Sequence, residues 1–183
     1  GIDRNSAGLI ALGDASEGNV KLYAESGRLL RILGRKGGGP GEFREPRYPR
    51  FADDTTLHIA DTDGGRLTVI TTSGRLVRTL QLGKLIYLSG FALDGHGGYL
   101  VGSEDPDGYV LFHLDSTGKQ IGRFLKIRDV LPRGMPDSPY WRNVRNFYLS
   151  ALHDTAYVTL TYSDTLWRVS LRDSTETATV ITP

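Results

Sequence analysis

Residues 25–33 read ESGRLLRIL, and residues 72–80 read TSGRLVRTL. The second copy follows the first after 47 positions (Gly27 to Gly74), and a weaker third copy, STGK, follows after 44 more at Gly118. Each Ser/Thr-Gly pair separates two short apolar runs, which is typical of a tight hairpin whose glycine takes a positive φ. Three copies at this spacing indicate an internal repeat of about 45 residues.

Further strand-like runs precede each hairpin. The run just upstream ends in an aspartate at the same place in three units: Asp14, Asp61 and Asp105. Another apolar run opens the second and third units, at residues 48–52 and 88–93. Four short strands in a unit of about 45 residues are the strand count and period of a propeller blade. We expect each aspartate to accept hydrogen bonds from the backbone N–H groups of its own turn.

The last unit has lost the Ser-Gly signature but keeps four strand-like runs. They cover residues 147–152, 156–162, 166–171 and 175–181. Glycine and turn residues interrupt the chain too often for helices of normal length. The sequence therefore predicts an all-β protein, a β-propeller of four-stranded antiparallel blades with four blades in this chain.

One passage resembles the NHL repeat. It consists of GGGPGEF at residues 37–43, Pro46, LHIAD at residues 57–61, Arg66 and the Ser-Gly turn at Gly74. The NHL repeat likewise has Gly-Pro-Gly-Glu-Phe, a proline, a hydrophobic strand that ends in Ala-Asp, an Arg-containing strand and a closing glycine. The resemblance implies a ring, usually of six blades, that is used mostly for recognition.

Four blades are fewer than six, so we expect the chain to be an excerpt of a six-bladed ring, with a self-contained four-bladed ring as the alternative. Ile2-Asp3 aligns with Leu93-Asp94 in the repeat, which places the start of the chain partway along an innermost strand. Uncovered blade faces would be apolar, and we expect self-association through them. The blades of this single domain, residues 1–183, are predicted at about 1–36, 37–84, 85–127 and 128–183.

The composition limits the kinds of functional site and partner that the chain can have. Lys plus Arg (22) nearly balance Asp plus Glu (21), so the net charge of +1 gives no general attraction to nucleic acid or an anionic membrane. The absence of cysteine excludes disulfides, thiolate catalysis and Cys-rich zinc sites. No apolar stretch reaches the roughly 20 residues of a membrane-spanning helix. The histidines lack metal-ligand spacing, and no Gly-x-Ser-x-Gly elbow or phosphate loop occurs, so the sequence predicts no catalytic residue, metal ligand or cofactor.

The most basic stretch is residues 28–50, in which Arg44, Arg47 and Arg50 accompany Tyr48. Arginine can contact phosphate while an aromatic ring stacks on a base, so this stretch is a candidate for binding RNA or another partner. The competing interpretation is that its outer-strand arginines prevent edge-to-edge pairing of strands. An Arg-x-x-Arg pair recurs in the second hairpin, which favours the competing interpretation.

The connection between the third and fourth blades, residues 128–146, is longer than the others and contains three prolines. It carries Tyr140, Trp141 and Arg142. Aromatic residues on a stiff loop favour a partner surface. The competing interpretation is a loop that caps the neighbouring blade that is missing from this chain.

Together, these patterns predict a non-catalytic propeller that binds a protein or carbohydrate-like ligand through its inter-blade loops, in a bacterial periplasm or outside the cell. Two other functions stay open. Propellers that resemble this one include metal-dependent lactonases and amidating lyases, which implies a hydrolase or lyase with a metal at the central axis. The other alternative is RNA binding through residues 28–50.

Overall fold

A computed structural model describes residues 1–83, 85, 88–131, 147–161 and 163–181. These residues form short β-strands and one helical turn. The elements are β1 (Ile2–Arg4), β2 (Ile10–Asp14), β3 (Asn19–Tyr23), β4 (Leu29–Leu33), β5 (Pro46–Phe51), β6 (Thr56–Asp61), β7 (Arg66–Thr71), β8 (Leu76–Gln81), β9 (Gly90–Leu93), β10 (Tyr99–Gly102), β11 (Tyr109–Leu114), β12 (Gln120–Lys126), α1 (Ile127–Val130), β13 (Phe147–Leu152), β14 (Thr155–Leu160), β15 (Thr165–Ser170) and β16 (Glu176–Val180).

The strands form four antiparallel sheets, and each sheet contains four strands that are consecutive in the chain. Their order within each sheet is the order of the sequence, so every sheet is a meander of hairpins: β1 to β4, β5 to β8, β9 to β12 and β13 to β16. The protein is therefore all-β and has the four-stranded antiparallel blades of a β-propeller, as the sequence predicts.

Burial differs between the strands of a blade. In the second sheet β6 and β7 are almost wholly buried, whereas the last strand, β8, is mostly exposed. The last strands of the first and fourth sheets, β4 and β16, are exposed as well. In these three sheets the last strand therefore contributes little to the core, whereas β12 of the third sheet contributes Phe124 and Leu125.

The hairpin glycines have the backbone conformation that the repeat requires. Gly27, Gly74 and Gly118 have φ values of +83°, +95° and +86°, a region that residues with a Cβ rarely adopt. In the fourth sheet the equivalent turn has no glycine, and Ser174 takes a φ of +62° there. The turn geometry is thus kept in the blade that has lost the glycine signature.

Residues Gly1–Leu88 form one compact unit that contains the first two sheets. Strand β5 packs against β1 and β2 of the preceding sheet. The buried core of this unit includes Ala11, Val20, Leu22, Leu33, Phe43, Leu57, Ile59 and Ile70. Burial of each large aliphatic or aromatic side chain in such a core stabilises the fold by about 1.5–3 kcal/mol.

Residues Ser89–Pro183 form the second compact unit, with the third and fourth sheets. Here β13 packs against β9, and the Phe147 N–H donates to the Ser89 carbonyl at 2.9 Å. The Phe91 and Tyr99 rings stack with their centroids 5.9 Å apart. Gly90 and Gly102 lie directly against Phe147, where an added Cβ would approach to 2.7 Å and 3.2 Å. Glycine at these two positions allows the two sheets to approach closely.

The structure differs from the sequence prediction at element ends. Strand β5 begins at Pro46 instead of residue 48, because a bulge at Arg47 extends its pairing with β6. Short helix α1 follows β12 directly and was not predicted, since four residues carry too little periodicity to be recognised. No helix in the described residues is long and apolar enough to cross a membrane.

Candidate partner-binding surface

Residues 34–45 join β4 to β5 and form the 34–45 connection, which one buried arginine holds in place. Arg66 of β7 donates from Nη1 to the Gly38 carbonyl at 2.8 Å and from Nη2 to the Glu42 carbonyl at 2.6 Å. Its Nε donates to Oδ2 of Asp61 at 3.0 Å. The side chains of Arg66 and Asp61 are 9% and 0% exposed, so the bond between them is buried, whereas the bonds to Gly38 and Glu42 are partly buried. A guanidinium suits this position because its planar fork donates in several fixed directions.

The Asp61 carboxylate holds the end of the same connection. It accepts hydrogen bonds from the N–H groups of Arg44, at 3.1 Å, and Glu45, at 2.7 Å. The expectation that the Asp61 carboxylate accepts hydrogen bonds from its own turn is therefore wrong, because Arg66 and the N–H groups of Arg44 and Glu45 donate to its oxygens instead. The same expectation is confirmed for Asp14 and Asp105, whose carboxylates accept from backbone N–H groups two to four residues later.

Packing fixes the connection from its other side. Phe43 is fully buried in the core of the first unit. Its N–H donates to the Arg35 carbonyl and its own carbonyl accepts from the Gly37 N–H, both at 2.9 Å. Gly34 has a φ of +71° and lies against the Phe43 ring, where a Cβ would collide. The backbone of the connection is therefore rigidly positioned at both ends.

Glu42 completes the internal bonding of this segment. Its Oε2 accepts from the Gly39 N–H at 2.9 Å, and its Oε1 accepts from Nε of Arg35 at 2.9 Å. These bonds, first the one from Gly39 and then the one from Arg35, hold the pKa of Glu42 below its usual value. Glu42 is therefore ionised at neutral pH and neutralises Arg35.

Two cations of the connection have no such partner. Lys36 and Arg44 are exposed, and neither forms an ion pair with any residue in the described part of the chain. By contrast, Arg47 pairs with Glu45 at 2.8 Å. The rigid connection therefore presents the positive charges of Lys36 and Arg44 to solvent.

The residues of β5 that the sequence suggested for partner binding are less accessible to a partner than Lys36 and Arg44. Arg47 is the bulged residue, while Tyr48 and Arg50 lie on one face of the strand because side chains two residues apart share a face. Nη1 of Arg50 donates to the Pro49 carbonyl at 2.8 Å, and burial lowers the pKa of Arg50 although the nearby charge of Asp3 acts in the opposite direction. Of the predicted residues on the basic stretch, Arg44 and Arg47 are exposed, whereas Arg50 is partly withdrawn.

Two other sets of residues were singled out from the sequence: the arginines of the outer strands and the aromatic residues of the 128–146 connection. The arginines of the outer strands lie where the competing interpretation put them, since Arg31 is exposed on β4 and Arg78 is exposed on β8. Tyr140, Trp141 and Arg142 fall outside the described residues, and their role as a partner surface stays a prediction.

Three of the four histidines in the described residues, His58, His96 and His113, have surroundings that bear on a catalytic or metal-binding role. Burial, followed by the nearby positive charge of Arg78, lowers the pKa of His58 to about 4. His113 Nε2 lies 2.9 Å from Oδ2 of Asp94, and His96 Nε2 lies 3.3 Å from Oδ1 of Asp154. Within the described ranges, no group of three or more His, Asp or Glu side chains is arranged to hold a metal ion.

Sequence reasoning did not recognise the Arg66–Asp61 pair as the support of the 34–45 connection. The sequence did contain a clue, because the glycine-rich segment, Asp61 and Arg66 all belong to the pattern that resembles the NHL repeat. The three parts are separated by up to 29 positions, so their contact becomes evident only in three dimensions.

No protein-family model and no curated protein matches the chain. Solved structures do match. A catalytically inactive H270A virginiamycin B lyase from Staphylococcus aureus, solved with quinupristin, has a TM-score of 0.66 at 14% identity, over 99% of this chain and 55% of that one. A protein from Bacteroides fragilis has a TM-score of 0.68 at 15% identity, over 96% and 49% of the two chains. The β-propeller domain of Myceliophteria thermophila Cps50 (Swd1) has a TM-score of 0.64 at 12% identity, over 99% and 55%.

The chain thus spans about half the length of the solved structures that it matches. The structural neighbours include a lyase and the WD40 repeats of RRP9, so the fold by itself does not assign a function. At identities of 11–20% they show the fold alone. Fold and comparisons agree that the chain is made of β-propeller blades.

Proposed function

We propose that this chain is part of a non-catalytic binding propeller, which recognises an acidic segment of a protein partner through the 34–45 connection. The observation that carries the proposal is the combination of a backbone fixed by buried Arg66 with the exposed charges of Lys36 and Arg44, neither of which is paired by a residue that the structure describes. A connection that is already ordered loses little conformational entropy when it binds. Carboxylates on a partner would supply the missing counter-charges.

The contrast with neighbouring arginines supports this assignment. Arg35 and Arg47 have their charges neutralised by Glu42 and Glu45 within the protein, so they add little attraction for a partner. Lys36 and Arg44 are not neutralised in this way. The proposed site is therefore narrower than the basic stretch of residues 28–50 taken as a whole.

We also propose that the chain is an NHL-type propeller, in which six blades are usual. Support comes from the residues that carry the resemblance. The glycine-rich segment, Asp61 and Arg66 belong to one hydrogen-bonded network between the first two blades. The network explains why the pattern has these residue types at these positions.

The test is a binding titration of the full chain with a fluorescein-labelled peptide of alternating Glu and aromatic residues. We expect the double variant Lys36→Glu, Arg44→Glu to weaken binding at least tenfold. The matched control is Arg28→Glu, Arg31→Glu, which changes the net charge equally but lies at exposed positions of the first hairpin. We expect this control to weaken binding less than threefold.

A second arm uses a single-stranded RNA oligonucleotide at several salt concentrations. Equal loss of peptide binding in both double variants would show that the peptide responds only to the net charge of the protein, and it would refute the proposed site. RNA binding that depends on Lys36 and Arg44 and declines steeply with salt would replace the protein partner by nucleic acid.

A further inference from the structure

An open cleft of about 400 Å³ lies in the first unit, at the ends of the sheets opposite to the 34–45 connection. The β1–β2 loop forms one wall and the β5–β6 loop the other. Its lining residues are Arg4, Asn5, Ser6, Phe51, Ala52, Asp53 and Asp54. The volume lies within the range of roughly 300–1,000 Å³ that is usual for small-molecule sites.

The two walls are bonded to each other. The buried Asn5 side chain donates from Nδ2 to the Asp54 carbonyl at 3.2 Å and accepts from the Leu9 N–H at 2.8 Å. The Ser6 hydroxyl donates to Oδ1 of Asp54 at 2.7 Å. The loops come from different sheets, so these bonds give the cleft a defined shape before any ligand arrives.

Several polar groups in the cleft retain hydrogen-bonding capacity. Oδ1 of Asp53 accepts from the N–H and hydroxyl of Thr55 at 2.7 Å and 2.8 Å, but an ionised carboxylate can accept about four hydrogen bonds. Asp54 likewise has a second oxygen available. Nη2 of Arg4 donates to Oε1 of Glu25 at 2.6 Å, and the guanidinium has further N–H groups to donate.

The mixture of charges restricts the ligand. Arg4 is paired with Glu25, so the uncompensated charge of the lining is that of the Asp53 and Asp54 carboxylates, which disfavours an anionic ligand. A neutral ligand with several hydroxyl groups can donate to the carboxylates and accept from the guanidinium at the same time. Phe51, which packs on the core and also lines the cleft, adds an apolar surface for the C–H face of a sugar ring.

We propose that this cleft binds one unit of a neutral carbohydrate. Asp53 and Asp54 accept hydrogen bonds from its hydroxyl groups, Arg4 donates to them, and the Phe51 ring packs against the sugar. The ligand class and the loops differ from those of the acidic protein segment proposed for the 34–45 connection.

The experiment uses the full chain and three neutral trisaccharides, maltotriose, mannotriose and tri-N-acetylchitotriose, each up to 10 mM in NMR titrations. We expect at least one of them to shift backbone amide signals of residues 4–7 and 51–55. Asp53→Asn and Asp54→Asn should each weaken this binding about tenfold, because charge-assisted hydrogen bonds are roughly twice as strong as neutral ones. An amide oxygen still accepts from the turn, so folding should be preserved.

The matched control is Asp173→Asn. Asp173 makes the same Asp-x-Thr turn, with its Oδ1 accepting from the N–H and hydroxyl of Thr175 at 3.0 Å and 2.7 Å, but it does not line the cleft. The control should leave saccharide affinity unchanged. The absence of shifts with all three saccharides would overturn the proposal. So would equal weakening by the control, or binding of a trilysine peptide that depends on Asp53 and Asp54, which would indicate a cation site.

Discussion

Replacing Arg66 by alanine removes the support of the 34–45 connection, and we expect it to lower the free energy of unfolding by about 4 kcal/mol. The side chain makes three short hydrogen bonds, to Gly38, Glu42 and Asp61. Loss of one partner of a buried ion pair costs roughly 3–5 kcal/mol, because the remaining charge stays buried without compensation. The N–H groups of Arg44 and Glu45 still donate to Asp61, which places the expected loss inside that range.

The assay is urea unfolding at pH 7, followed by circular dichroism and tryptophan fluorescence. The matched control is Arg35→Ala in the same segment, whose side chain is 82% exposed and pairs with Glu42 at the surface. A surface ion pair contributes about 0–1 kcal/mol, so this control should change stability by less than 1 kcal/mol. Arg66→Lys keeps the charge but loses the planar fork, and should lie between the two. An Arg66→Ala loss below about 1 kcal/mol would refute the assigned role.

Three further predictions concern pH, backbone conformation and the partner surface. The pKa of His58 is about 4 in the native state against about 6.5 unfolded, so the unfolded state binds more protons between these values. Stability should therefore fall by about 3 kcal/mol as the pH decreases from 6.5 to 4, and a His58→Gln variant with the same pH slope would contradict this cause. Gly27→Ala should cost about 1–2 kcal/mol in thermal unfolding because φ is +83°, whereas Gly38→Ala, without a positive φ, should cost less than half as much. Trp141→Ala should weaken capture of a protein partner without lowering the melting temperature, and unchanged capture would remove that residue from the surface.

The blades could be predicted because their signals are local. A Ser-Gly turn at Gly27 or Gly74 between apolar runs specifies a hairpin within about ten residues, and the repeat of that pattern shows how often the hairpin occurs. The fourth blade followed from its apolar runs even though Ser174 replaces the glycine. The four-stranded sheets agree with these predictions in order and pairing.

The site was harder to predict because its contacts join distant residues. Arg44 was identified as basic, but its exposure depends on Asp61 bonding to its backbone from 17 positions away. Arg50 was grouped with Arg44, although the fold buries much of its side chain against strand carbonyls. No local pattern separates an arginine that faces solvent from one that bonds to backbone carbonyls.

The central claim is that the 34–45 connection is rigid before a partner binds. Hydrogen exchange of single backbone amides, measured by NMR, tests it most directly. The N–H groups of Arg44 and Glu45, which donate to the buried Asp61 carboxylate, should be protected nearly as well as the buried strand β6. Exchange of these two amides at the rate of an exposed turn such as residues 25–27 would contradict the claim.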